Sequence, residues 1–287
     1  MAGKRNKKAR AVRHPYGAVL LLLLLLCGIW LWWDNHRFVV EETTIAAADL
    51  PEEFDGLRIV QLSDNHGMEF GENNEKLLTA VAEAAPDLIF ITGDLIDQYE
   101  QYAMVPPLAS GLVEIAPTYY VTGNHEWAVR HVKELKELLK DSGVRVLTND
   151  FELWTRGGAT LAVAGVDDPN GPADQKTPEE VYEEIDADFT LLLSHRDTVE
   201  TYGEWDYDVV FCGHGHGGLI RIPFLDRGLV GHGHRLLPEY SGGLYELGNG
   251  NFCYVSRGIG NNTVPFPTVR VFNPPTMDVV TLRSAPN

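Results

Sequence analysis

The sequence predicts an α/β protein, a layered β-sandwich flanked by helices and preceded by one N-terminal transmembrane helix. Three observations carry this expectation. Residues 15–33 contain no Asp, Glu, Lys, Arg or His; short apolar runs alternate with amphipathic helical patterns from residue 57 onward; and beyond about residue 205 the chain turns to glycine-rich short runs with a hairpin signal.

The first segment reads as a membrane anchor. Seven consecutive leucines, 20–26, sit in an apolar stretch of about the 20 residues a helix needs to cross a bilayer. Trp30, Trp32 and Trp33 close it, where amphipathic rings favour the headgroup layer. Lys4, Arg5, Lys7, Lys8, Arg10 and Arg13 precede it without a single acid, which predicts a cytoplasmic leader over 1–14, a single-pass span over 15–33 and an extracytoplasmic body in the cell membrane's outer space. The apolar core runs into Trp and Leu with nothing like Ala-x-Ala, so an uncleaved anchor is favoured over a signal peptide. Residues 34–56 then serve as juxtamembrane connector and domain start, and 57–287 as one domain, with no Gly-, Ser- or Pro-rich linker dividing them.

Within that body, apolar runs at 57–62, 88–92, 118–122, 160–165, 189–194 and 208–212 have the length and β-branched content of strands. Between the early ones lie helical patterns at 72–85, 101–114 and 129–142. Strand and helix in alternation imply crossover units and a largely parallel inner sheet. Runs at 244–247 and 252–256 around Gly-Asn-Gly-Asn predict a hairpin, and 269–272 and 278–282 two further strands.

Charge narrows the partners. The 287 residues carry a net charge of −18, and the residues after the leader hold 17 basic against 41 acidic groups, or −24, so no specific nucleic-acid partner is expected. Any phosphate site in this acidic body must bring its own positive charge. Cys212 and Cys253 lie in strand-like runs, and the sequence allows either one disulfide or two buried thiols.

Chemistry gathers where the strands end: Ser63-Asp64-Asn65-His66, Gly93-Asp94-Leu95-Ile96-Asp97, Gly123-Asn124-His125-Glu126, Ser194-His195 and Gly213-His214-Gly215-His216. Carboxyl ends of strands in open α/β sheets are where loops converge on a crevice. His66, His195, His214 and His216 stand there with Asp64, Asp94 and Asn124; Asp and His ligands suit Mn, Fe or Zn rather than a thiolate-selective metal, and these seven residues fit two divalent ions sharing a carboxylate better than one tetrahedral ion. Two ions a few ångströms apart clamp a phosphoryl group and supply the missing positive charge. No Gly-x-x-x-x-Gly-Lys-Ser/Thr loop and no Gly-x-Ser-x-Gly elbow occurs, and Ser63 and Ser194 merely adjoin ligand positions.

In this order, Asp64-x-His66, Gly93-Asp94-x-x-Asp97, Gly123-Asn124-His125-Glu126, His195 and Gly213-His214-x-His216 resemble the calcineurin-like metallophosphoesterase superfamily over about residues 57–218. Gly217-Gly218, Ile220-Arg221-Ile222-Pro223, Ser241-Gly242-Gly243-Leu244-Tyr245 and Tyr254-Val255-Ser256-Arg257-Gly258 resemble its membrane-associated bacterial phosphodiesterase branch. The resemblance implies one ion on Asp64, His66, Asp94 and His216 and a second on Asp94, Asn124, His195 and His214, with Asp94 bridging. It implies that His125 contacts a phosphoryl oxygen or protonates the departing oxygen, and that Asp97 orients His125. The expected reaction is in-line attack by a hydroxide held between the two ions on a phosphodiester or pyrophosphate, membrane-associated or lipid-linked. The alternatives are an extracytoplasmic nucleotidase or phosphomonoesterase, and a membrane-tethered metal-containing binding or scaffold protein.

Several residues also suit plainer roles. Asp97 also suits a turn or helix cap, Glu126 a cap alone, and Asp167 and Asp168 a turn before Pro169. Asn65 stands between two ligands, where it would touch substrate or alter ring positioning. His232 and His234 form a second Gly-His-Gly-His without a strand before it, expected in a solvent-facing loop near the cleft.

Overall fold

Apolar runs bounded by glycine and polar residues become strands buried on both faces, and the helices pack outside them. The computed structural model describes residues 15–225, 227–230, 236–248, 250–262 and 268–285. The chain runs through α1 (Pro15–Asn35), β1 (Val39–Ala47), β2 (Arg58–Leu62), α2 (Glu75–Glu83), β3 (Leu88–Thr92), α3 (Val105–Ile115), β4 (Thr118–Val121), α4 (Asn124–Val129), α5 (Val132–Asp141) and β5 (Arg145–Val146). It continues through β6 (Asp150–Arg156), β7 (Ala159–Gly165), α6 (Pro178–Tyr182), β8 (Phe189–Leu193), α7 (Val199–Tyr202), β9 (Val209–Cys212), β10 (Ile220–Ile222), β11 (Arg227–Val230), β12 (Gly243–Glu246), β13 (Phe252–Val255) and β14 (Thr276–Ser284).

Two six-stranded sheets, β1-β14-β2-β3-β4-β5 and β12-β13-β9-β8-β7-β6, stack face to face. Strands β2 to β5 are parallel, as are β7, β8, β9 and β13, while β14 on β2 and the β6–β7 and β12–β13 hairpins are antiparallel. Ile59, Phe90 and Tyr119 meet Leu191 and Phe211 between the sheets, with Phe90 edge-on to Phe211 at 5.1 Å. On the outer face of the first sheet, Val60 and Ile89 pack against Leu77, Leu108, Leu112 and Leu135 of the helices. Leu192 and Val210 of the second sheet pack against Val181, Val199 and Tyr202. The result is the helix, sheet, sheet, helix layering expected from the sequence.

Local departures have local causes. The helix of the 129–142 pattern, α5, starts only at Val132, because Val129 is the last residue of α4 and Arg130 ends that helix in a left-handed conformation, φ 67°. The 101–114 helix starts later, at Val105, with Pro106 and Pro107 in its first turn, where their missing N–H groups cost nothing. The 72–85 pattern begins as a 3-10 turn and is α-helical only from Glu75. Residues 269–272 do not form a strand; Val271 makes a single bridge to Ile220. The edge strands β1 and β6 are additions to the runs recognised in the sequence. His232 and His234 lie outside the described residues.

The N-terminal helix is long and apolar enough to cross a membrane, and its leucines 20–26 are exposed. Its last residue ties it to the body: Asn35 Nδ2 donates to Arg270 O at 2.9 Å while Arg270 N donates to Asn35 Oδ1 at 2.7 Å. Trp30 packs against Phe272 at 5.0 Å.

Candidate metal centre

Each predicted ligand stands at or just beyond a strand end, and the backbone there is bent hard. Asp64, His66, Asp94, His214 and His216 all have positive φ, between 49° and 69°, which non-glycine residues rarely adopt. Strain concentrated at one spot marks a site where geometry outranks backbone comfort. Glycine permits the close approach: a Cβ on Gly123 would lie 2.2 Å from Asp94 Oδ1, and one on Gly213 only 1.9 Å from Ser63 Oγ.

The side chains converge in two groups. In one, His216 Nε2 lies 3.0 Å from His66 Nε2 and 3.5 Å from Asp64 Oδ1. In the other, His195 Nε2 lies 3.1 Å from both His214 Nδ1 and Asn124 Oδ1 and 3.2 Å from Asp94 Oδ2. The same Asp94 Oδ2 is 3.9 Å from His66 Nε2, so one carboxylate oxygen faces both groups. All seven predicted ligands are thus brought together.

This donor set fits divalent cations. Two imidazole nitrogens aimed at each other at about 3 Å share at most one proton, so two such pairs, ringed by carboxylates, leave inward-facing lone pairs that a cation satisfies. Burial alone would lower the pKa of His195; the Asp94 carboxylate outweighs it and raises it to about 10, so the pocket stabilises positive charge there. The histidines around Asp94 hold its own pKa well below the usual carboxylate range despite burial.

A third group differs in kind. Asp97 Oδ1 lies 2.5 Å from His66 Nδ1 and 2.8 Å from His125 Nδ1. One carboxylate therefore fixes the tautomer of two rings, a ligand candidate and the neighbouring His125, where the sequence suggested an effect on His125 alone. Hydrogen bonding to Asp97 raises the His125 pKa against the lowering effect of burial. His125 Nε2 points inward, 3.8 Å from Asp94 Oδ2 and 3.3 Å from Asn262 Nδ2.

Supports invisible in the motifs surround these groups. Glu126 is more than a cap. It is fully buried, and its carboxylate accepts from the N–H groups of Gly123 (2.7 Å), Asp94 (3.0 Å) and Leu95 (2.6 Å), pinning two strand-end loops together. Burial and the charge of Asp94 push it up to about 7. Asp168 does more than turn the chain before Pro169: it takes Arg196 bidentately at 2.6 and 3.0 Å, which brings Arg196 Nη1 to 3.3 Å from His214 Nε2. Asp167 pairs with Lys136 at 2.6 Å. Arg270, fully buried, reaches His216 Nδ1 at 2.9 Å and donates to the carbonyls of Arg257 and Gly260, both at 2.5 Å. Burial lowers its pKa to about 9. Asn65 is buried and its side-chain amide donates to Met68 O at 3.1 Å. Ser63 Oγ donates to Asp64 Oδ2 at 2.6 Å, a bracing role rather than a nucleophile's. The Cys212 and Cys253 sulfurs lie 3.7 Å apart as buried free thiols.

A histidine and carboxylate cluster of this composition, held at the strand ends of a layered α/β sandwich, defines a divalent-metal hydrolase of phosphoesters. The chain belongs to the calcineurin-like phosphoesterases, whose family model matches residues 57–218. It is 29% identical over 297 residues to an uncharacterized metallophosphoesterase of Bacillus subtilis, YkuE, covering 98% of this chain and 99% of that one. It is 29% identical to phosphodiesterase YaeI of Escherichia coli over 193 residues, 62% of this chain and 65% of that one. A transmembrane protein with metallophosphoesterase domain from Danio rerio is 27% identical over 243 residues, 79% of this chain and 54% of that protein.

Proposed function

We propose that the chain is a two-metal phosphodiesterase or pyrophosphatase acting on a membrane-associated, lipid-linked phosphate outside the cell membrane. The observation that carries the two-metal reading is Asp94 Oδ2, which faces His66 on one side and His195 on the other. Asp64, His66, Asp94 and His216 would hold one ion; Asp94, Asn124, His195 and His214 the other; Mn, Fe and Zn suit these donors. Bound ions would supply Lewis acidity toward the phosphoryl oxygens and the attacking water.

This chain's own residues do the rest. His125, with Nδ1 held by Asp97, presents Nε2 to the centre and donates its proton to the departing oxygen or to a phosphoryl oxygen. The ring is 19% exposed, open enough to meet substrate, whereas the His66 ring is closed off. The basic leader and apolar helix favour an outward-facing body, and the relatives named as a phosphodiesterase and as a transmembrane protein support a diester and a membrane setting.

The test is His125→Ala in the full chain loaded with Mn2+. We expect kcat to fall by about 10²-fold or more for a diester with a poor leaving group and less for a nitrophenyl ester, with metal content unchanged. Wild-type turnover by the variant on both esters would remove His125 from the chemistry.

A further inference from the structure

Next to His66 opens a cavity of about 480 Å³ whose far wall is the membrane helix itself. Gly28, Leu31 and Trp32 of α1 line one side, Met68 and Val269 the other, and His66 and Asn262 the end nearest the predicted metal centre. From Gly28 to Asn35 the helix wall is about 10 Å long at 1.5 Å per residue. It begins on the bilayer side of the tryptophan belt and ends at the body, where the paired hydrogen bonds of Asn35 and Arg270 fix it. The helix is therefore placed as a component of the site's surroundings, beyond its role as a tether.

A second observation lies on the rim. Val269 and Phe272 are more than half exposed, and Phe272 packs on Trp30. The β10–β11 hairpin is joined to this rim by hydrogen bonds between Arg221 N and Val271 O and between Val271 N and Leu219 O, both 3.0 Å. Beyond it Phe224, Leu225 and Leu236 are strongly exposed. Such side chains beside a membrane helix are satisfied by the headgroup and acyl boundary, not by water.

Resting on the phosphoesterase reading above, we propose that this cavity receives the apolar chain of a phosphoester amphiphile from the adjoining leaflet. Its phosphoryl group would reach the centre past Asn262, whose Nδ2 lies 3.3 Å from the partly open His125 Nε2, and α1 would form one wall of the substrate site. A phosphoester without such a chain would leave the Gly28, Leu31 and Met68 walls unused.

The experiment uses the Mn2+-loaded full chain in phosphatidylcholine nanodiscs, with methyl and octyl p-nitrophenyl phosphates that share one leaving group. Burial of several methylenes predicts kcat/KM about 10- to 100-fold higher for the octyl ester. Gly28→Leu fills the cavity at a position where an added Cβ meets nothing within 4 Å, so the fold is spared. It should erase the octyl advantage and leave the methyl ester within about twofold, since uniform binding of the tail is what it removes. An octyl phosphate diester carrying a terminal diazirine should label Leu31 or Met68 on photolysis in the wild type but not in Gly28→Leu. Equal rates for both esters in the wild type would overturn the tail site while leaving the phosphoesterase reading intact. A chain-length preference that survives Gly28→Leu, or labelling confined to leucines 20–26, would assign the effect to bulk partitioning and overturn it as well. Absence of hydrolysis of either ester would overturn the phosphoesterase reading, and the tail site with it.

Discussion

Replacing Gly123 with Ala adds one methyl group at the tightest point between the two strand-end loops that carry Asp94 and Asn124. The backbone at 123 sits at φ −105°, which alanine adopts freely, so the perturbation is purely steric. The new Cβ would lie 2.2 Å from Asp94 Oδ1 and 2.5 Å from Asp94 N, where ordinary contact begins near 3.4 Å. A rotamer change relieves the first contact but not the second, which is backbone, so the loop must shift by about 1 Å. Overpacking of this kind costs about 1–3 kcal/mol. In a chain of this size that corresponds to a Tm lower by about 2–12 °C. The larger effect falls on Asp94, because a displacement of about 1 Å in a site costs on the order of 10²-fold in rate. Calorimetry, metal analysis and turnover on a nitrophenyl diester follow the three effects, with Gly248→Ala, where a Cβ meets nothing within 4 Å, as control. A Gly123→Ala protein that binds metal and turns over like the wild type would refute the reasoning that the 93–94 and 123–124 loops are held at contact distance for Asp94's sake.

Asp97→Asn should weaken two rings at once, lowering metal affinity through His66 by about 10-fold or more together with kcat through His125. A fall in kcat with metal affinity untouched would confine Asp97 to His125. Asp278, fully buried and bonded to Ser256 Oγ at 2.5 Å, is raised by burial from 3.8 to about 6. Its favourable contribution is complete below about pH 3.8 and is lost as pH rises through about 6, leaving the fold about 3 kcal/mol less stable at pH 7.5 than with a protonated carboxyl. Asp278→Asn should therefore gain stability on the wild type between pH 4.5 and 7.5 in urea titrations; a pH-independent difference would contradict the assignment.

Legibility in the sequence followed the range of the interaction. The ligand positions were readable because each follows an apolar run and each residue type advertises its chemistry where the strand stops. Their supports were not. Arg270 reaches His216 across 54 residues, and Asn35 reaches Arg270 across 235, and no local pattern announces either contact. Glu126 looked like a helix cap because it is one: it caps α4 through Gly123 while also holding the Asp94 loop. Strand β1 was hidden for a related reason. Its alternation of half-buried and exposed residues is that of an edge strand, and its partner β14 lies at the opposite end of the chain. Arg130 shows the reverse case, a helical periodicity that continues across a residue whose backbone ends the helix.

The proposed mechanism rests on one carboxylate, Asp94, holding two ions in one centre. The most direct measurement is metal stoichiometry of the purified full chain, wild type beside Asp94→Asn, with phosphodiester turnover measured on the same samples. Two divalent ions per active wild-type chain are expected, with metal and turnover lost together in the variant, because both ions lose charge compensation. A fully active wild type holding a single ion, or an Asp94→Asn protein that retains two ions and full turnover, would contradict it.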